Sequence, residues 1–408
     1  MTHHKIVNID GPKILAANAI KVPFYSIALF LGLFCLPLKA FHFSLGDQSI
    51  YPSYLAILML GAVNFKAFAQ NYLTYFRKPT LVLLGFTVMD YVRLGLDPSV
   101  FVFTFKIGVA LLMSVAYLRL LNYDERKAMQ YLAWAIKATV AFMLYQFISC
   151  TFFGYSLPLT TIAPFEIGRG LGSRFGLIRV TGFTEEPSYV AVMLIGCFFL
   201  FHSYQLRSGV SQKWIKATIV GGMLMCSSDN LFATLPLLLF FGLLYRYRLT
   251  WLFFVLFYAA NLIIYPRVLN LDESFFARFS SYSLFAAEPF TTQLLGIGFN
   301  QYNKLNVIQY ITPEGLPGLV VEALSSLWGG LLLEGGILFT ICFCLYANRL
   351  VNIAKFGTGY ALMAILIMLA NYYSPWWPIL SFALAYVLHS RAPFVGLNTA
   401  SSDEKVAA

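Results

Sequence analysis

Three arginines at five-residue intervals, Arg169, Arg174 and Arg179, stand among five glycines between positions 168 and 182. At about 100° per residue a helix would turn each arginine roughly 140° from the one before, so no single helical face holds all three. So glycine-rich a backbone argues for a loop whose N–H groups approach a partner closely. A guanidinium keeps its charge and donates two parallel hydrogen bonds, which matches phosphate oxygens. A loop that gathers these arginines at a membrane surface reads as a cradle for a lipid-linked phosphate. The same side chains would also suit lipid headgroups or plain solvation.

Immediately after them comes Glu185-Glu186-Pro187-Ser188-Tyr189. A carboxylate held at the lipid–water boundary, its pKa raised by partial desolvation, suits a general base, and its neighbour can orient an arginine. Acids followed by Pro are equally an ordinary helix start. Further along, Arg278 and Tyr282 precede Gly296-Ile-Gly298-Phe299-Asn300, with Asp272, Glu273, Glu288, Glu314 and Glu322 in the same region. Aromatic faces stack on sugars and polar side chains pair with hydroxyls. The lone GxG lacks the strand–turn–helix setting of a dinucleotide site.

These residues need a scaffold, and composition says which kind. Of 408 residues, 59% are hydrophobic, 17% aromatic and only 11% charged. A soluble domain has about 25% charged residues. Too few charges remain to cover a water-exposed surface, which excludes a soluble enzyme. The basic residues are strung singly rather than clustered, so the +10 net charge does not indicate nucleic acid. The expectation is an all-α polytopic membrane protein, one integral domain over 1–408.

About 20 apolar residues cross the hydrocarbon layer as a helix. Twelve runs qualify: 23–41, 51–68, 79–96, 99–118, 131–153, 188–206, 214–228, 231–245, 250–266, 327–347, 357–372 and 374–389. The first 22 residues do not read as a signal peptide. With the N-terminus in the cytoplasm, eighteen Lys and Arg fall on that side and seven outside, while eleven of the 18 acids fall outside. Both termini are then cytoplasmic, with a tail at 390–408. Two connections are long, 154–187 and 267–326, and both face outward. Long loops in compact proteins carry function, so chemistry is expected there.

Charges inside spans are expensive and are expected to be paired. Counted at ~1.5 Å per residue, Asp90, Lys106 and Glu334 lie at similar depth, which suggests an Asp90–Lys106 ion pair. Lys137 lies near an inner edge, where its stem can snorkel. The six cysteines show no CxxC and no histidine at ligand spacing, and read as small buried hydrophobes. His3, His4, His42, His202 and His389 form no catalytic constellation by spacing, and none lies in a long connection.

The stretch Arg179-Val-Thr-Gly-Phe-Thr-Glu-Glu186-Pro-Ser-Tyr189, placed between a long outward loop and a span, resembles the Arg-x-x-Gly-x-x-x-Glu-Pro-Ser pattern of Wzy-type polysaccharide polymerases. Arg278-x-x-Ser-Tyr282 with Leu295-Gly-Ile-Gly298-Phe, Ser227-Ser228-Asp229 at a span end, and the glycine-rich span Gly329-Gly330 to Glu334-Gly335-Gly336 are similar to that family too. The matched motifs cover about 179–189 and 278–299; the architecture covers the whole chain. The resemblance implies a bacterial inner-membrane glycosyltransferase of the type-C fold. Such an enzyme joins oligosaccharide repeat units carried on undecaprenyl diphosphate at the periplasmic face, for O-antigen, capsule or exopolysaccharide, with a chain-length regulator protein as partner. It implies that Arg179 and Arg278, helped by Arg169 or Arg174, stabilise the leaving diphosphate. Glu186 or Glu185 takes the acceptor proton, and Tyr189, Tyr282 and Asn300 bind substrate, with no cofactor or metal. Related O-antigen ligases usually carry a histidine near the second loop's end; Glu322-Ala-Leu-Ser-Ser-Leu-Trp328 has none. A secondary transporter of about twelve spans is the other alternative, although such proteins show two related halves and short outer loops.

Overall fold

The computed structural model describes residues 21–34, 43–45, 48–50, 59, 65–154, 172–174, 177–184, 187–268, 273–302, 309–311, 317–320, 326–369 and 378–391. Among the described residues twelve helices dominate: α1 (Lys21–Phe34), α2 (Phe65–Arg93), α3 (Val100–Phe153), α4 (Pro187–Ser208), α5 (Lys213–Cys226), α6 (Asp229–Arg246), α7 (Thr250–Val268), α8 (Glu273–Ala287), α9 (Phe290–Leu295), α10 (Leu327–Ile353), α11 (Thr358–Met368) and α12 (Pro378–His389). Three antiparallel hairpins sit between them, β1 (Phe43–Leu45) with β2 (Gln48–Ile50), β3 (Gly172–Arg174) with β4 (Leu177–Arg179), and β5 (Gln309–Ile311) with β6 (Pro317–Val320).

Among the described residues, α3, α4, α7 (over Thr250–Arg267) and α10 are long and apolar enough to cross a membrane, and Thr234–Arg246, α11 and α12 are shorter apolar helices. The 54-residue α3 would be ~80 Å long if straight, far beyond a single crossing. It bends at Asp124, whose backbone leaves the helical region at φ −157°, ψ 87°. The runs expected at 99–118 and 131–153 are thus two limbs joined by helix rather than by a loop. α2 starts at Phe65, well before the run expected from 79, because residues 65–78 are helical without being apolar. Most of the run expected at 51–68 lies outside the described residues.

α4 is apolar on every face and is accordingly the central helix. It packs on α5, α6, α11 and α12, with Val190, Leu194, Cys197 and Leu200 wholly buried. α7 is largely exposed along its length and lies at the periphery. α12 lies along α3, and Tyr117 on α3 hydrogen-bonds the Gly32 carbonyl of α1 at 3.0 Å. Trp328, wholly buried at the head of α10, packs on Phe254, Phe257 and Tyr258 of α7 and donates to the Leu366 carbonyl of α11 at 2.8 Å.

Candidate functional site

Two places collect the residues singled out by sequence. The first is the β3–β4 hairpin and the turn that leads into α4. Its register pairs Gly172 with Arg179 and Arg174 with Leu177. Side-chain alternation along strands then puts positions 174 and 179 on one face of the hairpin. Arg174 is described in its main chain only, and Arg169, Glu185 and Glu186 lie outside the described residues.

The turn after Arg179 is fastened by a residue that sequence reading passed over. Gln146, buried in the apolar second limb of α3, accepts from the amides of Gly182 at 2.8 Å and Thr181 at 3.2 Å. Its Nε2 donates to Thr181 Oγ1 at 3.3 Å and the Gly182 carbonyl at 3.4 Å. Gly182 has φ +59° and lies so close to Thr139 and Met143 that a Cβ would press on both. Phe183 stacks flat on Phe142 at 4.5 Å, and Thr184 Oγ1 donates to the Thr181 carbonyl at 2.7 Å. The only sequence signal for Gln146 was a lone amide in an apolar run.

Arg179 is half-buried, within electrostatic reach of Cys226 at the end of α5, and its buried Nε has no hydrogen-bond partner among the described residues. The hydroxyls of Ser149 on α3 and Ser228, just ahead of α6, are also buried and without partners among the described residues. β4 packs against both α3 and α5, so these three groups stand on elements that meet at one corner. Buried polar groups are nearly always satisfied, and several orphans together mark a place where a polar ligand can supply the partners. Tyr189, half-buried in the first turn of α4, packs against the main core.

The second place is the connection before α10. Arg278 is half-buried on α8, a helix that packs on α7 and α10. Tyr282, one turn on, is only 2% exposed and joins Phe276, Phe285, Tyr302, Leu332 and Leu333 in a satellite core, with a hydrogen bond to Ser326. Its ring faces packing partners, so here it acts as core. Asn300 takes the left-handed backbone at φ +58° and is half-buried.

The Gly296-Ile-Gly298 turn has a defined task. α10 is interrupted at Gly336 (φ +68°), and the amides of Ile297 and Gly298 donate to the carbonyls of Leu333 and Glu334 at 2.9 and 3.0 Å. The turn is inserted into the break, so closely that a Cβ on Gly296 would run into the Glu334 carbonyl. Next to it, the Phe299 amide donates to Asp90 Oδ2 at 3.1 Å and the ring packs on Phe103 and Phe339. Asp90 is therefore paired differently from expectation. Its Oδ1 takes Arg93 at 2.9 Å, from the same helix, whereas Lys106 interacts electrostatically with Glu334. An i,i+3 partner and a loop amide, both nearer than the next span, decide the difference.

Arg179 is thus held by α3 and α5, and Arg278 by α7 and α10. α11 joins α10, through Trp328 Nε1 to the Leu366 carbonyl, and α6, through Thr234 Oγ1 to Met368 Sδ at 2.7 Å. Both arginines occupy the end of the bundle that carries the long connections.

At the opposite end lies a cluster that spacing along the chain could not reveal. Glu125, just past the bend in α3, accepts from Tyr386 Oη at 2.7 Å, meets His389 Nε2 at 3.0 Å and lies 3.3 Å from Arg207 Nε. Arg207 also donates to the His389 carbonyl at 2.8 Å, and His389 Nδ1 meets Asn122 Oδ1 at 2.7 Å. The glutamate and histidine are 264 residues apart. Among the described residues no three His, Cys, Asp or Glu side chains gather as metal ligands would. Comparisons with protein-family models, curated proteins and solved structures returned no match for this chain.

Proposed function

We propose that this chain is a multi-pass inner-membrane glycosyltransferase of about twelve spans, both termini cytoplasmic. It polymerises oligosaccharide repeat units carried on undecaprenyl diphosphate at the periplasmic face. The observation that carries this proposal is Arg179 Nε, buried and without a hydrogen-bond partner among the described residues, next to a turn fastened by Gln146 and on a strand packed against α3 and α5. A fixed guanidinium with unmet hydrogen-bonding capacity is pre-organised for an anion, and pre-organised donors stabilise charge as it develops on a leaving group. In the proposed reaction a hydroxyl of the acceptor unit attacks the anomeric carbon of the donor. The bond to the diphosphate oxygen breaks, Arg179 and Arg278 take up the charge with Arg174 or Arg169, and Glu186 or Glu185 accepts the hydroxyl proton.

Replacement of Arg179 by Ala or Lys, with expression verified, is expected to leave single-repeat glycolipid on the cell surface, and the same holds for Arg278. Polymer of wild-type length from both variants would sink these roles. A ligase is told apart by phenotype, since its loss leaves undecorated lipid A-core with intact polymer elsewhere. The broken α10 beside Glu334 also suits a transporter, because interrupted helices often expose carbonyls to ions. Here the Leu333 and Glu334 carbonyls are occupied by Ile297 and Gly298, which favours a docking role for the break.

A further inference from the structure

Between α2, α3, α10, α11 and α12 runs a cavity of about 540 Å³, lined along α10 from Leu327 at its head to Ile353 at its foot. That volume falls within the ~300–1,000 Å³ of ordinary ligand sites. Its walls are apolar, from side chains such as Leu83, Leu111, Leu350 and Leu384, and no acidic residue lines it. Arg77 and Lys78 of α2, Arg349 of α10 and Arg391 after α12 also border it, all four exposed. None of the four has an acidic partner among the described residues. Tyr346, one turn before Arg349, stands in the wall with its buried hydroxyl lacking a partner among the described residues.

We infer that this cavity binds an anionic glycerophospholipid, with an acyl chain between the helices and the phosphate at the ring of Arg77, Lys78, Arg349 and Arg391. Basic residues on the cytoplasmic side are expected of any multi-pass chain, and alone they would indicate only orientation. What is particular here is that four of them, drawn from three segments remote in sequence, border one apolar cleft. Cations between helices at that side attract anionic headgroups, each strengthening binding by about fivefold. The cleft supplies what a free phosphate would not use and an acyl chain would. Its lining shares no residue with the proposed diphosphate site, so the two stand or fall independently.

The test is native mass spectrometry of the full-length chain released from micelles titrated with phosphatidylglycerol or phosphatidylcholine of matched chains. Phosphatidylglycerol is expected to be retained in preference to phosphatidylcholine. Its apparent affinity should drop about thirtyfold in the Arg349→Gln/Arg391→Gln double variant, two cations' worth. The Arg77→Gln/Lys78→Gln pair, on a separate helix, should give a similar loss and guards against a fold effect peculiar to α10 or α12. Ala347→Phe, which puts a ring into the cavity wall, should reduce retention with all cations present. Equal retention of the two lipids, unchanged retention in both charge variants, or displacement of phosphatidylglycerol by a polyisoprenyl phosphate at equal concentration would overturn the inference.

Discussion

The carbonyl of Glu334 accepts a hydrogen bond from the amide of Gly298 at 3.0 Å, across the break in α10. A loop amide thereby occupies a carbonyl that the interrupted helix cannot satisfy itself. Irregular backbone at membrane depth is tolerated only where protein or a wet cavity satisfies it. The connection and the span therefore hold each other in place, and Asp90 secures the next residue of the connection, Phe299.

A methyl group at either side of this joint should be costly. Gly296 and Gly336 both have positive φ, and a Cβ on either would meet the backbone of the other strand of the joint. Gly296→Ala and Gly336→Ala are each expected to lose about 2–4 kcal/mol. Gly221→Ala, in a helix with open space around it, should be neutral or gain up to about 1 kcal/mol. Thermal unfolding in detergent of the three variants checks this; equal midpoints would refute the interlock.

Gln146 should matter more than a lone amide usually does. Gln146→Leu removes the acceptor for the Thr181 and Gly182 amides, leaving two buried donors unpaired at about 1–3 kcal/mol each. The variant is expected to fold, because α3 keeps its apolar packing, yet to lose hydrogen-exchange protection over 177–184. Surface polymer should shorten in parallel. Retained protection at Thr181 and Gly182 would show that the turn is held by something else.

The Glu125 cluster should behave as a buried ion pair. Glu125→Gln leaves Arg207, whose side chain is 2% exposed, without its carboxylate, at a cost of about 3–5 kcal/mol. Glu125→Gln combined with Arg207→Met should recover most of that loss. A double-mutant cycle on unfolding midpoints reads the coupling, and strictly additive single effects would mean that the two charges do not interact.

Much of the scaffold was legible along the chain. The apolar runs at 188–206, 250–266 and 327–347 are α4, α7 and α10 within a few residues, because burial in lipid or core demands apolar side chains whatever the neighbours are. The first half of α2 escaped notice because its polar and aromatic residues carry no hydropathy signal. The arginine spacing correctly disfavoured a helix, but three-residue strands are too short for alternation to declare them. The candidate site was half visible: Arg179 by its type and setting, Gln146 not at all.

Residue types alone determined that this chain forms apolar helices, that the few charges within them need partners, and that Arg169, Arg174, Arg179 and Arg278 with the nearby acids fall in two long connections. The cost of a charge or a bare peptide group in hydrocarbon is paid residue by residue, so composition suffices to read it. Only the packed molecule decided that Asp90 takes Arg93 and Phe299 while Lys106 faces Glu334, that Gly296 and Gly298 fill the break in α10, and that Glu125 finds His389 from the far end of the chain. Hydrogen bonds act over about 3 Å, and which groups come that close depends on which helices lie side by side, a relation that no local spacing encodes.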